Sequence, residues 1–204
     1  MLASATLEAR DLEKTDSRES RVPTGDLARV GSVSDTSSAT PTPDGLASLE
    51  RYVAGMARKR LVAGVLFRDR EGRVLLVEPS YKPNWEIPGG AVEADESPWA
   101  GARRELAEEL GWRRPLGRLL VVDHIPAQEP LPEGVVFVFD GGVLDERDVA
   151  EMVFVDGEIL SASFHTMAEV RTKVKPVLAD RLDAATHAVR HGETVLCEQG
   201  KRVG

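Results

Sequence analysis

A single cysteine, Cys197, occurs in 204 residues. One thiol cannot close an intramolecular disulfide, and it cannot build a multi-cysteine zinc site. Aromatic residues are also scarce, 5% of the chain, and none precedes Tyr52. No apolar run approaches the ~18 residues needed to cross a bilayer. The opening MLASATLEARDLEK lacks the apolar centre of a signal peptide, and its Glu8, Asp11 and Glu13 do not suit an acid-poor transit peptide. These absences predict a cytoplasmic protein with no membrane partner. Positive charge is short as well: 26 Lys and Arg against 34 Asp and Glu leave a formal net charge of −8. That balance argues against a protein whose main task is gripping nucleic acid by neutralising its phosphates.

What is present divides unevenly along the chain. Between Thr15 and Gly45, 21 of 31 residues are Ser, Thr, Pro, Asp or Gly, and such a segment cannot bury enough apolar surface to offset the entropy of ordering it. Residues 1–45 are therefore expected to be a disordered tail. It would be either a docking or regulatory segment or simply a stretch with no fold of its own. Residues 46–204 are expected to form one domain, within the usual size range.

Past that boundary the texture becomes periodic. Leu46, Leu49, Val53 and Met56 recur at spacings of three and four, predicting a short amphipathic helix over 46–60. Leu61–Arg68 and Arg73–Pro79 flank Asp69-Arg70-Glu71-Gly72, the pattern of a β-hairpin. Leu116–His124 and Gly134–Phe139 read as further strands, with a helix over Pro98–Leu110 lying before them. Val170, Val174, Val177, Leu178, Leu182, Ala185 and Val189 follow a helical period that Pro176 restarts and Gly192 ends, and Thr194–Glu198 reads as a last strand. Irregular alternation without repeated units predicts α/β architecture with a mixed sheet and helices packed against it.

The chemistry concentrates in Gly89–Trp112, GGAVEADESPWAGARRELAEELGW. Ser97 can cap a helix whose first residue is Pro98, and Gly111 can end it in a left-handed conformation. Glu105, Glu108 and Glu109, at i, i+3 and i+4, then share one helical face with Cβ atoms roughly 5–6 Å apart. The three charges repel, and the C-terminal end of the helix dipole disfavours them further. Folding alone gives no reason for that arrangement, whereas a hard divalent cation with oxygen ligands does. The alternative is a solvated acidic face. Arg104 can neutralise and orient part of the cluster, Glu96 can pair with Arg104, and Gly89 and Gly90 permit close backbone approach to a ligand.

The run Gly90, Glu96, Arg104, Glu105, Leu106, Glu108, Glu109, Gly111 and Trp112 resembles the Nudix box, with all nine of its specified positions filled at the right spacing. The lead-in Trp85-Glu86-Ile87-Pro88 is similar too. The box covers 23 residues, and the element order from Leu61 to His191 resembles the whole domain. The resemblance implies an α/β/α sandwich around a mixed sheet. It also implies Mg²⁺- or Mn²⁺-dependent hydrolysis of the pyrophosphate linkage of a nucleoside diphosphate derivative, with Glu105, Glu108, Glu109 and the Gly90 carbonyl as metal ligands and Arg104 and Glu96 bracing the helix. The other reading is a non-catalytic sensor or interaction module on the same fold. Glu108 is one candidate base. The acid-rich stretch Asp140–Phe164 offers others (Asp145, Glu146, Asp148, Glu151, Asp156, Glu158), of which Glu158 precedes Ser161 where relatives often carry a second glutamate. The resemblance is also compatible with a homodimer.

Remaining candidates each have a plainer reading. Trp85 can stack on a base or pack beneath the box helix. Trp112 reads as core, Trp99 as partly exposed packing, and Cys197 as a small apolar strand residue. Lys82 can meet a substrate phosphate or stand as an exposed loop lysine. His187 and His191 are four apart, the spacing of a two-histidine metal site. No third ligand accompanies them at a suitable spacing, so they read as a solvated helix end.

Overall fold

The chain is described from a computed structural model over residues 43–155 and 157–203. Its elements are α1 (Pro43–Ala54), β1 (Arg60–Arg68), β2 (Val74–Pro79), β3 (Gly89–Ala91), α2 (Pro98–Leu110), β4 (Leu119–Ile125), β5 (Gly134–Val143), α3 (Glu146–Ala150), β6 (Ile159–His165), α4 (Met167–Lys173), α5 (Pro176–His191), β7 (Val195–Glu198) and β8 (Lys201–Arg202). The chain divides into two units, Met1–Arg51 and Tyr52–Gly204. Of the expected tail, 1–42 lies outside the described residues.

The expected hairpin forms through the chemistry of its turn. Asp69 accepts the Arg73 amide at 2.7 Å on its carboxylate, and Gly72 takes positive φ (79°). Arg68 then faces Val74 across an antiparallel pair. Beyond that corner β1 and β2 part. The segment 80–91 enters the gap: Glu86 bridges to Val77 of β2, while Gly89, Gly90 and Ala91 pair with Gly64, Ala63 and Val62 of β1. On its other edge β1 runs parallel to β5. The sheet order is β6-β2-β1-β5-β4-β7-β8, with β3 beside β1 and a second parallel pair, β4 with β7.

Strand alternation splits the core in two. Val65, Phe67, Leu75 and Val77 face α2, whose Ala102, Leu106 and Leu110 are fully buried. Leu66, Val74 and Leu76 face the opposite way, toward Val170 of α4 and Leu178, Leu182 and Ala185 of α5. Helices on both faces of a mixed sheet make the expected α/β/α sandwich. Each fully buried leucine contributes on the order of 1.5–3 kcal/mol, so α2 is fastened firmly by the side opposite its acids.

Several elements depart from the sequence reading. The helix expected over 46–60 ends at Ala54, where Gly55 and Met56 close a turn on Tyr52 and Val53. Its apolar residues Leu49, Tyr52, Val53 and Met56 are exposed. The long C-terminal periodicity is two helices, because Val174 and Lys175 are extended before Pro176 starts α5. β5 continues through Gly141 and Gly142, four residues past Phe139, where Gly141 leaves room for the Phe67 ring. The strands β3, β6 and β8 and the helix α3 had no assignment from the sequence.

Candidate active site

Local signals start and stop α2. The Ser97 hydroxyl accepts the Ala100 amide at 3.2 Å, Pro98 fills the first turn, and Gly111 adopts a left-handed conformation (φ 67°) with its amide on Leu106. Because Leu106 and Leu110 point into the core, Glu105, Glu108 and Glu109 fall on the flank facing β3. Glu109 Oε2 accepts the Gly89 amide at 2.9 Å. The Glu105 carboxylate lies against Gly90, where a Cβ would meet Oε1 at 2.5 Å. Gly89 has no room for a side chain either, since a Cβ there would meet the Ala63 carbonyl at 2.2 Å, and its φ is 136°. The glycine pair therefore lets two carboxylates close onto the strand backbone.

Arg104 is the hub of the cluster. Its guanidinium donates to Glu105 Oε1 (3.0 Å), Glu108 Oε2 (2.8 Å), Glu96 Oε1 (2.8 Å) and the Ala91 carbonyl (2.9 Å). Glu96 is itself held by the Glu93 amide. The Arg104 hydrogen bond, followed by that amide, keeps the Glu96 carboxyl below the usual carboxylate range. Three carboxylates thus share one guanidinium, and the imbalance registers at Glu105. Burial lifts its carboxyl above the ordinary value. Arg104 pulls it back, while the charges of Glu108 and Glu158 push in the same direction as burial.

Glu158, the residue just before β6, therefore acts electrostatically on Glu105. Among the other acids of 140–164, Asp140 pairs with Arg68 at 2.8 Å. Asp145 caps α3, and Asp148 returns that cap and pairs with Arg114. Asp156 lies outside the described residues. Ser161, at the position where a glutamate was expected, donates to Glu78 Oε2 across the β2–β6 pair at 2.6 Å. Glu78 was not singled out in the sequence, because its cross-strand partner could not be known.

Trp85 is committed to packing. It sits half-buried against the α4/α5 side of the core, edge-on to His165 at 5.1 Å, with the Lys173 ammonium 4.1 Å from its ring centroid. Its amide donates to the Lys173 carbonyl. It lies on the other core face from α2, so the expected packing beneath the box helix is corrected to packing beneath α4. Lys82 pairs with Glu86 at 2.9 Å on the same loop. Trp112 is buried edge-on to Phe67, Trp99 stands edge-on to Phe139, and Cys197 is buried in β7.

Three comparisons bear on this geometry. A sequence model described as the NUDIX domain matches residues 58–185. Human diphosphoinositol polyphosphate phosphohydrolase 3-alpha is 47% identical over 82 residues, 39% of this chain and 49% of that protein. A MutT-like protein of Streptomyces ambofaciens is 46% identical over 52 residues, 26% of this chain and 33% of that one. The chain thus spans about half or less of the length of these curated relatives. A NUDIX hydrolase structure from Nitrosomonas europaea superposes with a TM-score of 0.55 at 23% identity, covering 70% of this chain and 80% of that one. Among the described residues, no helix is long and apolar enough to cross a membrane.

Proposed function

Because the chain belongs to the NUDIX domain family, we propose that it is a metal-dependent hydrolase of a phosphoanhydride linkage in an anionic small molecule. A nucleoside diphosphate derivative or a diphosphorylated polyol phosphate would qualify. The observation that carries this reading is the convergence of Glu105 and Glu109 on the Gly89–Gly90 backbone beside Glu108. An all-oxygen, net anionic donor set next to a glycine pair that has no room for a side chain suits a hard divalent cation. Glu105, Glu108, Glu109 and the Gly90 carbonyl would hold it, and Mg²⁺ or Mn²⁺ fits the same donors. When bound, such a cation would neutralise phosphoryl charge and acidify a water.

The remaining roles fall to the chain's own groups. Arg104 fixes the rotamers of Glu105 and Glu108 with its planar fork, and Glu96 and the Ala91 carbonyl fix Arg104 in turn. Glu108, whose side chain is 54% exposed, can take a proton from an attacking water without leaving its helix, and Glu158 is the second candidate base. The backbone at Gly89 and Gly90 lets substrate phosphates approach closely. Trp85 serves that approach by positioning: it carries the loop into β3 and holds the Lys173 ammonium on its ring. With Lys82, this places two cations along the loop that leads to the glycine pair, an arrangement suited to an anionic substrate.

The test is phosphate or monophosphate release by the purified protein, with and without Mg²⁺ or Mn²⁺. The panel comprises nucleoside triphosphates, oxidised nucleotides, ADP-ribose, NADH, dinucleoside polyphosphates, capped RNA and diphosphoinositol polyphosphates. At least one compound should turn over only with metal, and Glu109→Gln should abolish that turnover with the melting temperature preserved. Equal rates for Glu109→Gln and wild type would remove the site from the mechanism.

A further inference from the structure

At the far end of α5 lies a group of side chains with different donor chemistry from the acidic cluster. The rings of His187 and His191 stack with centroids 3.9 Å apart and planes 27° from parallel. The helix stops at Gly192 (φ 73°), whose amide bonds back to Ala188, as does the amide of Glu193. That reversal brings Glu193 over the last turn, with Oε1 2.9 Å from His187 Nε2. This is the third ligand that linear spacing did not reveal, since the left-handed glycine folds it back onto the helix.

We propose that His187, His191 and Glu193 form a second metal site, for a late first-row divalent ion of the Zn²⁺, Ni²⁺ or Cu²⁺ class. One ligand atom from each residue lies within 4.8 Å of the others. Tetrahedral ligands at ordinary zinc distances stand ~3.3 Å apart, so closure needs a contraction of ~1.5 Å at most. His191 and Glu193 are exposed and His187 half-buried, so rotation of the first two supplies that movement without disturbing the core.

The tautomer of His191 is also set for coordination. His191 Nδ1 lies 2.9 Å from the His187 carbonyl. A carbonyl only accepts, so Nδ1 carries the hydrogen and Nε2 keeps its lone pair, which is how a backbone acceptor orients a metal-binding imidazole. A hydrogen bond between His187 and Glu193 would explain that contact alone, but it gives no role to the second ring, stacked beside it in a fixed tautomer. Two imidazoles with one carboxylate select a borderline transition ion over Mg²⁺, so the site is chemically separate from the cluster on α2. Three protein ligands leave a fourth position for water. A bound ion would fasten the end of α5 to the turn that enters β7, a turn already anchored by the Thr194 hydroxyl on the Leu119 carbonyl at 2.6 Å.

The test uses the full chain without an affinity tag, titrated with Zn²⁺ against a chromophoric chelator while excess Mg²⁺ occupies hard-oxygen sites. Wild type should retain one equivalent of Zn²⁺. His187→Gln/His191→Gln should bind at least about tenfold more weakly, and Glu105→Gln/Glu109→Gln should bind as wild type does. With Cu²⁺ as probe, electron paramagnetic resonance should show two imidazole nitrogens in wild type and one in His191→Gln. All three side chains are at the surface, so the melting temperature without metal verifies that each variant is folded. Undiminished Zn²⁺ binding by the double histidine variant, loss of binding in the glutamine pair, or no retained equivalent in wild type would each overturn the site.

Discussion

The Glu105 carboxylate occupies the space a side chain on Gly90 would need, with Oε1 2.5 Å from where the Cβ would stand. The glycine is thus required by the acid fifteen positions downstream of it in the helix, and its φ is not the reason, since only Gly89 of the pair is at positive φ.

Gly90→Ala should therefore act on catalysis before it acts on folding. The methyl must push the Glu105 carboxylate aside, and a displacement of about 1 Å at a positioned group can cost ~10²-fold in rate. Turnover should fall by about that factor, with the metal concentration for half-maximal rate rising and the melting temperature nearly unchanged. A variant with wild-type turnover would show that Glu105 has no fixed place in the reaction.

Arg104 makes the complementary case. Its guanidinium serves Glu96, Glu105, Glu108 and the Ala91 carbonyl at once. A lysine ammonium at the same place is a point charge that cannot span four acceptors. Arg104→Lys should lower kcat by about tenfold or more while retaining most of the stability, because one positive charge remains among the three acids. The comparison to make is kcat against KM for Arg104→Lys and Arg104→Ala. A change confined to KM would assign Arg104 to substrate binding and remove it as an organiser of the acids.

The sequence made the site's helix legible because its determinants are local. Ser97, Pro98 and Gly111 bound α2, and the i, i+3, i+4 spacing fixes which acids share a flank. The glycine–carboxylate contact was not legible, because it depends on β1 and β2 parting beyond Arg68 so that β3 can enter. Trp85 shows the same limit: its role follows from Lys173 and His165, eighty or more positions away in sequence. Glu193 was hidden by a turn, although a glycine just past a helix with two histidines in its last turns is a signal that could have exposed it. In each case local periodicity was readable, and long-range register was not.

Cys197 offers a check on the core away from the site. Burial, and next to it the Asp123 carboxylate, push its thiol up to about 11. At pH 8 that leaves ~1 part in 10³ as the reactive thiolate, before shielding by the fold is counted. A thiol reagent should leave the native chain unlabelled over an hour and modify it fully in denaturant. Rapid labelling of the native protein would mean that β7 detaches readily from β4.

The last prediction concerns the pair that joins α5 to the sheet. Asp123 on β4 is fully buried and takes Arg181 Nε and Nη2 at 2.7 Å on Oδ2. The Gly200 amide donates to the same carboxylate at 2.9 Å. Three elements, β4, α5 and the β7–β8 turn, thereby meet on one acid. Removing it strands a guanidinium whose side chain is 9% exposed and leaves the Gly200 amide without its acceptor. Breaking one half of such a pair costs about 3–5 kcal/mol, whereas replacing both halves with apolar side chains of similar volume is often nearly neutral. Asp123→Ala should lower the urea midpoint by an amount corresponding to that loss, and Asp123→Leu with Arg181→Met should recover most of it. Turnover per folded molecule should stay at the wild-type level, because the pair lies on the core face opposite α2. If the double replacement is no more stable than Asp123→Ala, the charges themselves hold α5 in place, and burial of the helix face alone does not.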